Sequence, residues 1–241
     1  MSTKFNSYIV PISIVVAGAL VAGAVVFSRG SSAPAGQIPA PQAANNGEPQ
    51  EIKVQLAPVT DEDHILGNPD ADLVVVEYSD FECPFCAKFH PTMEQIMDEY
   101  GKDGKVAWVY RHYPLSFHPQ AQPSAEASEC VAKLGGDEKF FAYAKVLFEN
   151  QATALTKDAL RANAVAVGID GTAYDQCVSS SYGRDQVAAD VADANLIAKS
   201  ATGGFGTPYS IVIAKDGTQF AIAGAQPYFR VKQIIDTLLA K

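Results

Sequence analysis

Two cysteines separated by two residues, Cys83-Pro84-Phe85-Cys86, form the part of this 241-residue sequence best equipped for chemistry. The flanking residues say where they lie. Leu73-Val74-Val75-Val76-Glu77-Tyr78 is a β-branched, nearly continuous apolar run, the pattern of a strand buried on both faces, and it leads into the motif. Beyond the motif, Phe85, Phe89, Met93, Ile96, Met97 and Tyr100 recur at three- and four-residue steps. That spacing predicts an amphipathic helix from about Pro84 to Tyr100, ended near Gly101. Pro84 suits a first helical turn, whereas Pro91 predicts a kink. Cys83 therefore belongs at a helix N-terminus, where unsatisfied N–H groups and the positive end of the helix dipole stabilise a thiolate. This makes Cys83 the nucleophile and Cys86, one turn inward, the residue that closes or resolves a disulfide. The competing reading is half of a zinc site. Such a site needs about four ligands, and no second cysteine pair or His-x-x-x-His stands at a matching spacing.

The elements that must position this dithiol follow in order. Lys105 to Tyr110 reads as a second strand, and strand–helix–strand implies a parallel pair with a right-handed crossover. From about Gln120 to Ala201 the chain is rich in Ala, Glu, Lys, Leu and Asp and predicts four or five helices, too many for a single crossover. Ser210 to Ala214 and Gln219 to Ala223, joined by Lys215-Asp216-Gly217-Thr218, predict an antiparallel hairpin, followed by a helix from about Tyr228 to Leu239. The fold class is α/β, with a folded domain over residues 59–241 and a helical insertion at about 118–201.

Ahead of the domain, Tyr8 to Phe27 is twenty uncharged residues, long enough to cross a hydrocarbon core of roughly 30 Å. Residues 1–29 are expected to be an N-terminal transmembrane helix, although Ala33-Pro34-Ala35 offers a small-residue pattern at which a signal peptide could be cut. Residues 30–58, rich in Pro, Ala, Gly and Gln, read as a flexible linker. Net charge is −9, and without Lys4 and Arg29 of the first 29 residues the balance is 16 basic against 27 acidic residues, or −11. Such a surface argues against nucleic acid and anionic lipid as partners. The other two cysteines, Cys130 and Cys177, both fall in the helical insertion. An even cysteine count behind a membrane-targeting segment suggests two disulfides in an oxidising compartment; two buried unpaired thiols are the alternative.

Three stretches, DFECPFCAKFHP at 80–91, RHYPL at 111–115 and GFGTP at 204–208, together resemble the DsbA family of extracytoplasmic thiol–disulfide oxidoreductases. The resemblance covers roughly residues 60 to 240. It implies a thioredoxin-like fold with an inserted α-helical lobe. It implies that Pro208 is a cis-proline facing the dithiol, that the Thr207 backbone pairs with substrate peptide, and that Pro84 and Phe85 join that substrate-binding surface. It also places Glu77 beneath the dithiol as a proton relay. Cys83 and Cys86 are then catalytic, with no cofactor and no metal. The expected enzyme is a monomer, held at the cell membrane by one span with its domain outside the cytoplasm. It introduces disulfides into unfolded or reduced secreted proteins and is reoxidised by a quinone-linked membrane oxidase of the DsbB or vitamin K epoxide reductase type. An isomerase or reductase of the same fold, and a non-catalytic peptide-binding chaperone module, are the rival readings.

One residue departs from the pattern. Strongly oxidising members carry histidine where Phe85 stands, so the sequence predicts a less stabilised Cys83 thiolate and a potential between about −270 and −120 mV. His112 and His118 flank a proline turn with no acidic or cysteine partner nearby in sequence, and read as shaping that loop. Trp108, Tyr110, Phe140, Phe141, Leu147 and Phe148 read as core.

Overall fold

The computed structural model describes residues 49–201 and 204–241; the expected anchor at 1–29 and the first part of the expected linker lie outside the described residues. The apolar run after Ala71 forms strand β3 (Leu73–Ser79), and the Val106–His112 run forms β4 parallel to it, with Val75 opposite Trp108. Helix α1 (Pro84–Ile96) makes the crossover and passes through Pro91; it ends in a π-helical turn at Met97–Gly101. The C-terminal hairpin, β5 (Tyr209–Ala214) and β6 (Gln219–Ala223), pairs antiparallel with β3 through β5. Helix α7 (Tyr228–Leu239) closes the chain.

Two short strands were not legible in the sequence. Strand β1 (Gln50–Ile52) pairs with β6 and β2 (His64–Leu66) with β4, giving the sheet order β1-β6-β5-β3-β4-β2. Residues 50–58, read as linker, therefore belong to the domain. The Val54 N–H donates to Gln219 Oε1 at 3.1 Å and the Ala57 N–H to Asp193 Oδ1 at 2.8 Å. Three-residue edge strands carry too few residues to show a period, and their pairing energy comes from the sheet they join.

Side chains alternate across β3. Val76 and Tyr78 face one side, against Ala194, Ile197 and Ile211, while Leu73 and Val75 face the other, against Phe89, Met93 and Ile235. Between β4 and β5 the chain forms the helical lobe: α2 (Ala121–Glu149), α3 (Gln151–Ala154), α4 (Lys157–Ala166), α5 (Gly171–Val178) and α6 (Tyr182–Ser200). Thr156 and Asp170 cap α4 and α5 by accepting from the N–H groups of Ala159 and Ala173. Helix α2 bends at Gly136, whose φ of 73° suits glycine. Helices α2 and α6 approach so closely at Gly183 that a β-carbon there would lie 2.4 Å from the Glu126 carbonyl oxygen. Cys130 and Cys177 are joined by a disulfide that links α2 to α5. Among the described residues no helix is long and apolar enough to cross a membrane.

Two buried ionic joints hold the lobe and the N-terminal segment to the sheet. Arg111 grips Asp63 with two bonds at 2.7 and 3.0 Å, reaches Asp193 on α6 at 2.8 Å, and donates to the carbonyls of Ala57 and Pro58. Glu129 on α2 accepts from two imidazoles, His64 at 2.9 Å and His112 at 3.1 Å. Removing one partner of such a joint strands charge in the interior. Arg111→Ala should lower the unfolding free energy by about 3–5 kcal/mol in urea titrations, and a loss below about 1 kcal/mol would show the joint to be solvated instead.

The second joint predicts a pH dependence. Burial alone would depress His64, but hydrogen bonds to Asp137 and Glu129 lift it from 6.5 to about 9, so its contribution is complete below 6.5 and lost as pH rises through about 9. For Glu129, burial is outweighed by His112 and His64, which hold it down at about 2; its contribution is complete above 4.5 and lost as pH falls through about 2. Asp190, raised by burial from 3.8 to about 6, contributes stability that is complete below 3.8 and lost as pH rises through about 6, before the His64 decline begins. Unfolding free energy measured against pH should therefore decline from 6.5 towards 9. The decline should be much shallower in His64→Gln.

Candidate redox site

Cys83 is the N-cap of α1, with extended backbone angles (φ −74°, ψ 120°), and Pro84 occupies the first helical turn. The bend from β3 into α1 is set by Asp80. Its carbonyl accepts the Cys83 N–H at 3.1 Å, and its buried carboxylate accepts the N–H groups of Glu82 at 2.8 Å and Leu115 at 2.9 Å. His118 Nδ1 lies 2.7 Å from the same carboxylate. This brings the loop after β4 against the dithiol. Both cysteines are free thiols and buried.

The two sulfurs are electrostatically unequal. A hydrogen bond from the Cys86 thiol is the largest influence on Cys83; burial opposes it, and Thr207 and the backbone N–H groups of Cys86 and Phe85 assist it, bringing Cys83 from 9.0 down to about 5. Burial, the adjacent Cys83 charge and Glu77 all push Cys86 well above the ordinary thiol value. One thiolate is thus held at the mouth of the site and one thiol behind it. The sequence predicts a Cys83 thiolate less stabilised than in members that carry histidine there, because Phe85 cannot donate a hydrogen bond. The folded site supplies its own donors, the Cys86 thiol first and the helix backbone with it, so the thiolate is stabilised without one from Phe85, whose ring is 62% exposed.

The Thr207–Pro208 peptide bond is cis, and the Thr207 carbonyl lies 3.4 Å from Cys83 Sγ as acceptor. Pro84 and Phe85 are exposed beside it. Phe117, on the loop anchored through His118 and Asp80, is 73% exposed. No local pattern around Phe117 singles that residue out.

Glu77 is 1% exposed on the face of β3 that carries Val75 and Ser79, and accepts from Trp108 Nε1 at 3.0 Å. Burial is the main cause of its rise from 4.5 to about 7. Its paired neighbours are Tyr110 on β4 and Ser210 on β5, and the hydroxyls of Tyr110 and Ser210 are buried with no hydrogen-bond partner among the described residues, while the buried Ser79 hydroxyl is close to Glu77 and Cys86. A carboxyl group and three hydroxyls therefore floor the dithiol on its inner side. His90 on α1, buried against Trp108 and Phe148, is held down at about 3 by burial and by Lys145, and stays neutral.

The histidines sort differently from their sequence reading. Each has an acidic partner, and the two are separate. His118 meets Asp80, whereas His112, His64 and Glu129 place three potential metal-ligating atoms within 4.8 Å of one another in the interior. Glu129 already accepts from both imidazoles, so charge and hydrogen bonding are met within that group. The partners of His112 lie 48 and 17 positions away in sequence, and no local spacing reveals them.

The site predicts its own titration. Alkylation of reduced protein should modify Cys83 alone, with a rate that rises through about pH 5 rather than 9.0. A midpoint near 9.0, or equal labelling of Cys86, would contradict the inequality of the two thiols.

Comparison with known proteins places the arrangement in context. Curated relatives include Na+/H+ antiporters NhaA 1 of Mycolicibacterium vanbaalenii, 39% identical over 158 residues (64% of this chain, 25% of the relative), and of Mycobacterium sp. strain KMS, 41% identical over 133 residues (54% and 21%). The chain spans about a quarter of the length of these relatives. Solved structures with the same fold include BdbD from Bacillus subtilis, with a TM-score of 0.63 and 22% identity over 78% of this chain and 98% of that one. Wolbachia pipientis alpha-DsbA1 has a TM-score of 0.62 and 22% identity over 74% and 91%. Pseudomonas aeruginosa DsbA2 scores 0.59 at 22% identity over 76% and 97%. The fold is therefore the DsbA type of the thioredoxin-like architecture. The family model described as Thioredoxin matches residues 59–205, more than half of the sequence and including Glu77, Cys83 and Cys86, and on that match the chain belongs to the thioredoxin family.

Proposed function

We propose that the protein is a dithiol oxidase that introduces disulfides into reduced, unfolded proteins outside the cytoplasm. The observation that carries this reading is the stabilised Cys83 thiolate. A thiolate held at about 5 favours the reduced dithiol, and a disulfide whose reduced form is stabilised is a strong oxidant. The fold shared with DsbA-type proteins supports it, as does a structural Cys130–Cys177 disulfide, which suits an oxidising compartment. The uncharged run from Tyr8 to Phe27 supports attachment to the membrane by one span.

In the working direction a substrate thiolate attacks Cys83 of the Cys83–Cys86 disulfide. The bond between the two cysteines breaks, a substrate–Cys83 disulfide forms, and Cys86 leaves with the electron pair. Cys86 binds a proton firmly, and the Glu77 carboxyl group, poised at about 7, is the donor on its inner side. A second substrate thiol, on losing its proton, attacks the substrate sulfur of the mixed disulfide. Cys83 is then expelled as the thiolate its surroundings favour. Two electrons now reside on the dithiol, and a quinone-linked membrane oxidase of the DsbB or vitamin K epoxide reductase type would remove them. The Thr207 backbone, exposed Pro84 and Phe85, and the neighbouring loop offer main-chain hydrogen bonding and apolar contact to an extended substrate chain without demanding a sequence.

Oxidised protein should restore activity to reduced, denatured ribonuclease, and Cys83→Ser should abolish this while leaving peptide binding intact. Refolding that persisted in Cys83→Ser would reject the dithiol as the redox centre. Glu77→Gln should slow the exchange on the order of 100-fold, the lower end of what a positioned acid or base contributes, and should remove the bend near pH 7 from the rate profile. An unchanged profile would assign Glu77 to packing alone.

A further inference from the structure

The first turn of α1 has an unusual difficulty. An N-cap side chain ordinarily accepts a hydrogen bond from the helix backbone and fixes the turn, but here the cap is the nucleophile itself: the Phe85 and Cys86 N–H groups face its thiolate, and no full side-chain capping hydrogen bond fixes the turn. The carbonyls of Phe81 and Cys83, the negative ends of two peptide dipoles, belong to the same bend as the thiolate. Something else has to hold the turn and neutralise those dipoles.

The structure supplies the group from the helical lobe. Gln151, the first residue of α3 in the helical lobe, extends its side-chain amide to the bend and donates from Nε2 to two backbone carbonyls, Phe81 at 2.7 Å and Cys83 at 2.9 Å. The Cys83 carbonyl simultaneously accepts the Ala87 N–H, which opens the helix. Asp80 grips the bend from the opposite side through Glu82, Leu115 and His118. The segment from Asp80 to Cys83 is therefore clamped twice, once from the β3–α1 and β4–α2 loops and once from the lobe.

We infer that Gln151 is a positioning residue through which the helical lobe holds Cys83 as an activated nucleophile and sets the redox poise of the dithiol. The inference rests on the proposed reading of Cys83–Cys86 as the redox centre. Two physical effects act in the same direction. Fixing the Phe81 and Cys83 carbonyls keeps the N–H groups of Phe85 and Cys86 aimed at the sulfur, and the amide hydrogens offset the negative ends of two carbonyls beside the thiolate. Loss of Gln151 weakens both. The thiolate becomes less favourable, the reduced form with it, and the disulfide becomes a weaker oxidant.

The full chain is compared with Gln151→Ala and Gln151→Glu, reading the Cys83 titration by ultraviolet thiolate absorbance, the equilibrium with glutathione, and thermal unfolding. In Gln151→Ala, thiolate formation should become roughly threefold less favourable, a rise of about half a pKa unit, and the glutathione equilibrium should move in the same sense. Gln151→Glu keeps the size of the side chain but turns an oxygen on the carbonyls and adds negative charge, so its shift should be larger, approaching roughly tenfold. A lowered unfolding temperature with unchanged titration and unchanged glutathione equilibrium in both variants would overturn the proposal, leaving Gln151 as a lobe anchor only. Failure of the underlying reading has a separate signature, which is thiol exchange surviving in Cys83→Ser.

Discussion

Two thiols in contact cannot both ionise, and the whole site depends on which of them does. The charge settles where donors are most numerous and water is nearest. At the start of α1 the Cys83 sulfur meets backbone N–H groups, the Cys86 thiol and Thr207; one turn inward, Cys86 meets apolar side chains and the Glu77 carboxyl group. The separation of roles between attacking and resolving cysteine is therefore a product of their depth in one helix. It needs a strand that delivers the chain at a fixed height and a bend that does not drift. Strand β3, paired on both sides by β4 and β5, provides the first, and the Asp80 hydrogen bonds provide the second.

The remaining architecture protects this inequality. Glu77, Tyr110 and Ser210 lie side by side on three strands, so the floor of the site is polar yet enclosed, and a carboxyl group there is kept near neutrality of charge by its burial. The helical lobe is tied down by the Cys130–Cys177 disulfide within itself, by Glu129 on two histidines of the sheet, and by Asp193 on Arg111. Because Gln151 extends from that lobe to the carbonyls beside Cys83, the stability of the lobe and the chemistry of the dithiol share a structural element.

Phe85 illustrates how one substitution is read differently in one and three dimensions. Taken alone, replacing a hydrogen-bonding residue between the cysteines by phenylalanine removes a donor to the thiolate. In the folded molecule the ring turns outward, and the Cys86 thiol, assisted by backbone N–H groups of the helix start, carries the stabilisation. What Phe85 adds is apolar surface at the mouth of the site, where exposed Phe117 adds more.

The sequence by itself determined the parallel β3–α1–β4 unit, the position of the dithiol at a helix start, the helical insertion and the terminal hairpin. These follow from local periodicity, proline and glycine placement, and turn chemistry, all expressed within a few residues. It also located the Thr207–Pro208 loop and Glu77 through motifs. Tertiary structure alone decided the edge strands β1 and β2, the inclusion of residues 50–58 in the domain, and the partners of Arg111 and Glu129. It also decided that Gln151, 68 positions from Cys83, would meet the redox bend. Such contacts leave no periodic trace. A glutamine at the start of a four-residue helix has the same local propensities whether it faces water or a nucleophile, and only the docking of the lobe distinguishes the two.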